Sequence, residues 1–390
     1  MENREWKEYI LSDVIDKFID YRGRTPKKTD FGIPLITAKV VKNGRLLEPN
    51  EFIAEEDYED WMTRGFPKFN DVILTSEAPL GEVALVKDEK IALAQRIITL
   101  QTNKDICNSI FLKYYFQSYI GQNALQSRAS GSTVEGIKSA ELKKVEIQLP
   151  PLPEQKAIAS VLSSLDDKID LLHQQNQTLE ALAETLFRQW FIEEAKEDWE
   201  ERPLSFFGKI ICGKTPSKKQ SSFFNGIYPF IKIPDMHGKT YVFETSDTLT
   251  EEGLKSQFNK TIPEKSINVS CIATVGLVTM NAYTSQTNQQ INSIIPIDVF
   301  RYYIYCQMKN SFELLQAMAS GGTATPNLNT GDFSKISIPN PDTEILKKFN
   351  IEVSPIFDKI FENSKQIQTL TQLRDTLLPK LMSGEVKVKM

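Results

Sequence analysis

The residue types that most often do chemistry are few in this chain, and they are scattered. His173 and His237 lie far apart in sequence and leave little for general acid–base work. Cys107, Cys212, Cys271 and Cys306 form no Cys-x-x-Cys pair, so neither a structural metal site nor a disulfide framework is expected. No GxxxxGK[ST] loop and no GxGxxG loop is present to cradle a phosphate or a dinucleotide. Asn340-Pro341-Asp342 starts like the tetrapeptide that holds an amine for methyl transfer, but departs from it at the third position. Pro234-Asp235 starts like a nuclease motif, and no acid-x-Lys triplet follows it at a useful distance. Asp166-Asp167-Lys168 has the triplet's shape but sits in a heptad-patterned segment, where a solvated charged face is the expectation. The chain is expected not to be a catalyst by itself.

What remains is polar, basic and paired. Arg22-Gly23-Arg24-Thr25-Pro26-Lys27-Lys28 and Lys214-Thr215-Pro216-Ser217-Lys218-Lys219 each set several cations beside glycine and threonine. Backbone amides and flanking cations of this kind suit phosphate oxygens, which carry most non-specific affinity for DNA. Ser130-Gly131-Ser132-Thr133 and Ser320-Gly321-Gly322-Thr323 offer amides and hydroxyls for the same purpose. Gln95-Arg96 and Gln289-Gln290 carry side chains that bond bidentately to adenine or guanine edges. Solvated turns are the plain alternative for each segment taken alone. Recurrence of the Gly-x-Thr-Pro loop at the same place in both copies brings the phosphate reading level with that alternative.

That recurrence is part of a repeat running through the chain. Gly23-Arg24-Thr25-Pro26 returns as Gly213-Lys214-Thr215-Pro216, Pro34-Leu35-Ile36 as Pro229-Phe230-Ile231, Gly81 as Gly276, and Leu149-Pro150 as Ile338-Pro339. Beyond these points the match tightens to an offset of 191: Asp167-Lys168-Ile169 with Asp358-Lys359-Ile360, and Gln177-Thr178-Leu179 with Gln368-Thr369-Leu370. Short β-like runs at 71–75, 81–86, 266–274 and 276–279 precede helical patches near 110–124 and 300–318. Each copy is therefore an α+β domain followed by a long helix.

The helices are read from heptad spacing. Leu162, Leu165, Ile169, Leu172, Asn176, Leu179, Ala183, Leu186 and Trp190 alternate by three and four residues. Val353, Ile356, Ile360, Asn363, Ile367, Leu370, Arg374, Leu377 and Leu381 do the same in the second copy, where Pro355 and Pro379 predict a helix kinked or frayed near its ends. A helix over 154–193 would be about 60 Å long, so two such seams most simply pack on each other. If they run antiparallel about a two-fold, the midpoints near 174 and 365 coincide, and Asn176 meets Asn363 to fix the register.

Composition sets the outer bounds. The chain has 390 residues, 41% hydrophobic and 25% charged, which excludes wholesale disorder and allows more than one core. No apolar run approaches membrane-helix length, and the charged Met1-Glu2-Asn3-Arg4-Glu5-Trp6 has no apolar stretch behind it, so a cytoplasmic protein is expected. The net charge of −5 is unevenly spread: residues 151–200 hold four cations against eleven carboxylates, while 201–340 hold thirteen against ten. The acidic segment is unlike a DNA-facing surface and suits a protein-docking one.

The pattern of a variable domain, then Leu-Pro-Pro-Leu-Pro-Glu-Gln (149–155), then a heptad helix, then the whole again, resembles the specificity subunit of type I restriction-modification systems. The Gly-x-Thr-Pro loops and Ser-Gly-Gly-Thr-Ala-Thr-Pro-Asn-Leu-Asn (320–329) share the resemblance, which covers essentially the full chain. It implies a target-recognition domain over 1–151, a first conserved helical region over 152–196, a second recognition domain over 197–340, and a second helical region over 341–390. It also implies an antiparallel coiled coil between the helices, and double-stranded DNA read as two different half-sites. The expected partners are two modification subunits, which bind S-adenosylmethionine, and restriction subunits, which use ATP and Mg2+. No cofactor is expected on this chain. Ile338-Pro339-Asn340-Pro341-Asp342-Thr343-Glu344 departs from the first copy's Pro-Pro-Leu-Pro-Glu-Gln form. The residues alone leave a second class open, a non-catalytic protein–protein adaptor with paired interaction domains and no role on DNA.

Overall fold

Apolar runs bounded by glycine, proline and asparagine become strands, and the same strand scheme is built twice. The computed structural model describes residues 6–21, 23–131, 134–320 and 325–389. The chain divides into two units, residues 1–168 with 370–390 and residues 169–369, so each unit takes about half of both long helices.

In the first unit, strands Ile15–Asp20, Ile97–Thr102, Val72–Thr75 and Val83–Leu85 form an antiparallel sheet in that spatial order. A second, three-stranded sheet is ordered Phe52–Ile53, Ile33–Ile36, Ala92–Leu93, with the last pair parallel. Val72–Thr75 is buried throughout, because successive side chains point to opposite faces. Val72 and Leu74 enter one core with Phe111, Leu112 and Phe116 of helix Ser109–Gln117. Ile73 enters the other, with Leu35, Ile36, Trp61 and Leu93.

The second unit repeats this order with strands Gly208–Cys212, Ile291–Pro296, Ile267–Ser270 and Val278–Asn281, extended by Tyr241–Val242. Its small sheet, Asp247–Leu249, Phe224–Ile231, Gln286–Thr287, again ends in a parallel pair. Helices Arg301–Asn310 and Phe312–Ala319 stand where the first unit has Ser109–Gln117 and Tyr119–Gln126. One difference is chemical. The face that carries Ile73 and Thr99 in the first unit carries Asn268 and Ser293 here, both fully buried and joined by a 2.8 Å hydrogen bond.

The first long helix covers Leu152–Arg188 and continues as a π-helical turn over Gln189–Glu193. Its start follows from the prolines: Pro151 has no N–H to leave unpaired, and its carbonyl accepts from the Glu154 amide at 2.9 Å. The second covers Thr343–Met382 and ends at Gly384, with φ +73°. Its helical assignment runs past Pro355 and Pro379, so the helix does not fray at either proline. The helical bonds these prolines forgo would have gone to the carbonyls of Ile351 and Asp375, both in solvent-exposed residues, where an unpaired carbonyl costs little. In the second unit Asn363 lies beside Asn176, and Phe349 lies 4.9 Å from Phe191, so the two helices run antiparallel. Every predicted seam residue of the first helix is buried or half-buried.

Candidate nucleic-acid interface

The Gly-x-Thr-Pro loops leave equivalent strands at equivalent ends. In the second unit Cys212 is paired with Asn292, after which the Gly213 amide donates to Ile291 O at 3.1 Å and the Lys214 amide to Thr287 O at 2.9 Å. Glycine is required for that approach, since a Cβ on Gly213 would lie 2.2 Å from the Asn288 carbonyl oxygen. The loop is thereby laid against the turn that carries Gln289 and Gln290, and Thr215 Oγ1 donates to Gln289 Oε1 at 2.8 Å. Buried Asn288 holds the turn: its Nδ2 donates to Gln290 Oε1 at 2.9 Å, and its Oδ1 accepts from the Gln290 amide at 3.1 Å. Lys214, Lys218 and Lys219 are exposed and have no ion-pair partner among the described residues.

In the first unit Asp20 is paired with Ile98, so the loop begins beside the turn that carries Gln95 and Arg96. Here an aromatic pair supports it. Tyr21 and Trp61 stack at 5.4 Å with 26° between their planes, and a guanidinium lies over each ring, Arg24 at 5.3 Å from Trp61 and Arg64 at 5.9 Å from Tyr21. Arg24 Nη1 also donates to Thr63 Oγ1 at 3.0 Å. Tyr21 is locked in turn, since its hydroxyl accepts from the Arg64 amide at 3.0 Å and donates to Gly65 O at 3.1 Å. Arg24, Thr25, Lys27, Asp57, Asp60 and Trp61 line an open cleft of about 400 Å³. Lys28 is engaged by Glu51 at 2.7 Å and Arg96 by Glu77 at 2.9 Å, whereas Lys27 is exposed with no such partner among the described residues.

The Gln95-Arg96 and Gln289-Gln290 segments prove to be the same turn. The Ser76 amide donates to Arg96 O and the Ile137 amide to Ser76 O; in the second unit the Cys271 amide donates to Gln290 O and the Leu328 amide to Cys271 O. In the first unit Ser130 is brought near by its pairing with Gly136, next to Ile137, and in the second the Asn327 amide, next to Leu328, donates to the carbonyl of Ala319, next to Ser320. Ser130 and Ser320 are exposed. Arg22, Ser132, Thr133 and Thr323 lie outside the described residues.

Sequence reasoning missed a polar cluster on the first long helix. Asp166, expected on a solvated face, is only 13% exposed: Oδ1 accepts from Arg374 Nη1 at 2.9 Å and lies 3.5 Å from Arg45 Nη2, while Oδ2 accepts from Lys113 Nζ at 3.0 Å and Tyr114 Oη at 2.6 Å. Burial works to raise the Asp166 pKa, but the charge of Lys113 and the hydrogen bonds from Tyr114 and Arg374 outweigh it and hold the carboxyl at about 2. Burial pulls the Lys113 ammonium below its ordinary range. The neighbouring Asp167 does stay exposed, as a solvated face requires. No local pattern marks Asp166, because its partners come from distant segments. At the offset of 191 its counterpart is Phe357, stacked on Tyr302 at 4.5 Å and 7°, and the counterpart of Arg374 is buried Ala183.

Further along, the helix pair of the second unit carries a polar layer. Asn363 Nδ2 donates to Asn176 Oδ1 at 2.9 Å and lies 3.4 Å from Gln175 Oε1, while Asn176 Nδ2 donates to Ser364 Oγ at 3.2 Å. Asn363 is 1% exposed, and its Oδ1 is buried with no hydrogen-bond partner among the described residues.

Comparison with known proteins places this geometry. The family model for the type I restriction modification DNA specificity domain matches twice, over residues 3–181 and 196–372. The chain is 31% identical to the HindI type I restriction enzyme specificity subunit of Haemophilus influenzae, over 98% of this chain and all of the relative. It is 32% identical to the MjaIX specificity subunit of Methanocaldococcus jannaschii, over 92% of this chain and 87% of the relative. The crystal structure of a type I restriction-modification S subunit from M. genitalium superposes with a TM-score of 0.64 at 18% identity, covering 98% of this chain and 97% of the other. The family model matched twice, over nearly the whole chain, and relatives of 31% and 32% identity identify the chain as a member of the type I restriction-modification specificity family, a non-catalytic DNA-recognition subunit with two target-recognition domains.

Proposed function

We propose that each unit reads one half of a bipartite, asymmetric double-stranded DNA site, and that the helix pair sets the gap between the halves. The observation that carries this is the recurrence of the Gly-x-Thr-Pro loop and the Gln-bearing turn beside equivalent strands in both units, with different side chains. Equivalent placement gives each unit the same way of approaching DNA, and different residues give each its own bases. In this scheme Lys27, Lys214, Lys218 and Lys219 meet phosphates and position the duplex. Arg22, Lys28, Ser130, Ser132, Thr133, Thr215, Ser320 and Thr323 support the same backbone contacts, while Gln95, Arg96, Gln289 and Gln290 face base edges. Asn176 and Asn363 fix the helix register, because a slipped pairing would bury each amide against leucine.

Two modification subunits dock on the helices, supply S-adenosylmethionine and methylate adenine; restriction subunits add ATP- and Mg2+-dependent translocation and cleavage. The acidic 151–200 segment, with exposed Leu171, Leu182 and Ile192, supports a protein-docking role for that stretch. The test is a salt series of DNA binding by the chain with its modification subunits. Log affinity should fall linearly with log salt, by roughly one unit for each phosphate contact. Salt-insensitive or absent binding would favour the adaptor alternative. Among the described residues no helix is long and apolar enough to cross a membrane.

A further inference from the structure

Lysine and arginine in the two Gly-x-Thr-Pro loops are not held alike. Lys214 and Lys27 extend into solvent without an ion-pair partner among the described residues. Arg24 is fixed twice, by its 5.3 Å approach to the Trp61 ring and by the 3.0 Å bond to Thr63 Oγ1. Trp61 is itself immobilised, since its Nε1 donates to Leu93 O at 3.1 Å and its ring stacks on Tyr21. A planar guanidinium held over an aromatic ring, with no side-chain hydrogen bond but the one to Thr63 among the described residues, is a preorganised fork, whereas a lysine is a mobile point charge. The cleft beside Arg24 also contains Asp57 and Asp60, neither of which has an ion-pair partner among the described residues. Two carboxylates repel a phosphate. They accept readily from an exocyclic amine, and in the major groove a G·C pair sets the cytosine N4 amine beside the guanine O6 and N7 acceptors.

We propose that Arg24, with Asp57 and Asp60, reads a G·C base pair in the half-site of the first recognition domain, while Lys27 contacts phosphate. The donor fork meets guanine O6 and N7, and a carboxylate accepts from cytosine N4. Trp61 is a positioning residue that holds the fork. The proposal rests on the DNA-reading function above and assigns one specificity position within it. The second unit is the internal control, because it places Lys214 where the first places Arg24.

The test uses the full chain with its modification subunits in cells, with adenine methylation mapped for wild type, Arg24→Lys and Lys27→Ala. The proposal expects a G·C position in one half-site of the wild-type motif, and Arg24→Lys to lose discrimination there alone, by about tenfold or more. Lys27→Ala should keep the motif and lower methylation evenly across sites. Duplexes varied at that one position, bound by the same complexes, give a second readout. An unchanged motif in Arg24→Lys overturns the proposal. So does an even loss at all sequences, which would make Arg24 a phosphate contact, or relaxation at a position that is not G·C. A wild-type complex with no motif at all would instead overturn the DNA-reading function itself.

Discussion

Replacing Asp166 by Asn removes one charge and keeps the shape, so it isolates what the buried cluster contributes. The carboxyl is held at about 2 against an ordinary 3.8, a difference that converts to roughly 2 kcal/mol of stabilisation of the ionised form. The substitution also leaves Lys113, only 5% exposed, without its counter-charge. Removing one partner of a buried pair costs about 3–5 kcal/mol, and an Asn Oδ1 that still accepts from Tyr114 offsets part of that. The expected loss is about 3 kcal/mol, confined to the first unit, or roughly 6–12 °C in its unfolding midpoint. Hydrogen exchange on the full chain separates the two units, whose protection should fall only in the first. The sign of the pH dependence follows from the depressed folded pKa. The native state binds fewer protons than the unfolded one, so the contribution is complete above about pH 4 and is lost as pH falls toward 2. Asp166→Asn should lack that acid limb, and adding Lys113→Met should recover part of the loss. A change below about 0.5 kcal/mol, or an acid limb equal to wild type, would refute the reasoning.

Replacing Asn176 and Asn363 together by Leu should raise thermal stability, since Asn363 Oδ1 is buried without a partner among the described residues. The same pair should blur the spacing between methylated half-sites, and an unchanged single spacing would contradict the register role. Lys218→Ala with Lys219→Ala should weaken DNA binding about equally for all sequences and flatten its salt slope by one to two units, read by fluorescence anisotropy. Gly81→Ala and Gly276→Ala should each cost about 1–3 kcal/mol in thermal unfolding. Both glycines sit at strongly positive φ, +87° and +91°, and each donates its amide back to the equivalent strand residue, Thr75 or Ser270.

The repeat was legible because its markers are local. Glycine at positive φ and the heptad seam each leave a trace in neighbouring residues, and both long helices fall where the seam places them. The basic loops and the Gln-bearing turns were also legible as residue types. That Gln95 and Gln289 occupy the same turn became visible only through the amide bonds of Ser76 and Cys271. The sandwich of Arg24, Trp61 and Tyr21 was not legible, since an aromatic far along the chain gives no periodic signal. Asp166 was misplaced for the same reason: helical spacing says which face a residue shares, and nothing about Lys113 or Arg374 arriving from elsewhere to bury it. The polar face around Asn268 and Ser293 contradicts simple alternation of apolar and polar residues, because cross-strand hydrogen bonds can satisfy an interior that side-chain hydropathy would place outside.

The most direct measurement is adenine methylation mapped across a genome with and without this gene, its modification partners being present in both. A two-part motif should be gained, with two different half-sites at one fixed spacing. A single contiguous motif, two identical half-sites, or no gain of methylation would contradict reading by two unlike domains on one pair of helices.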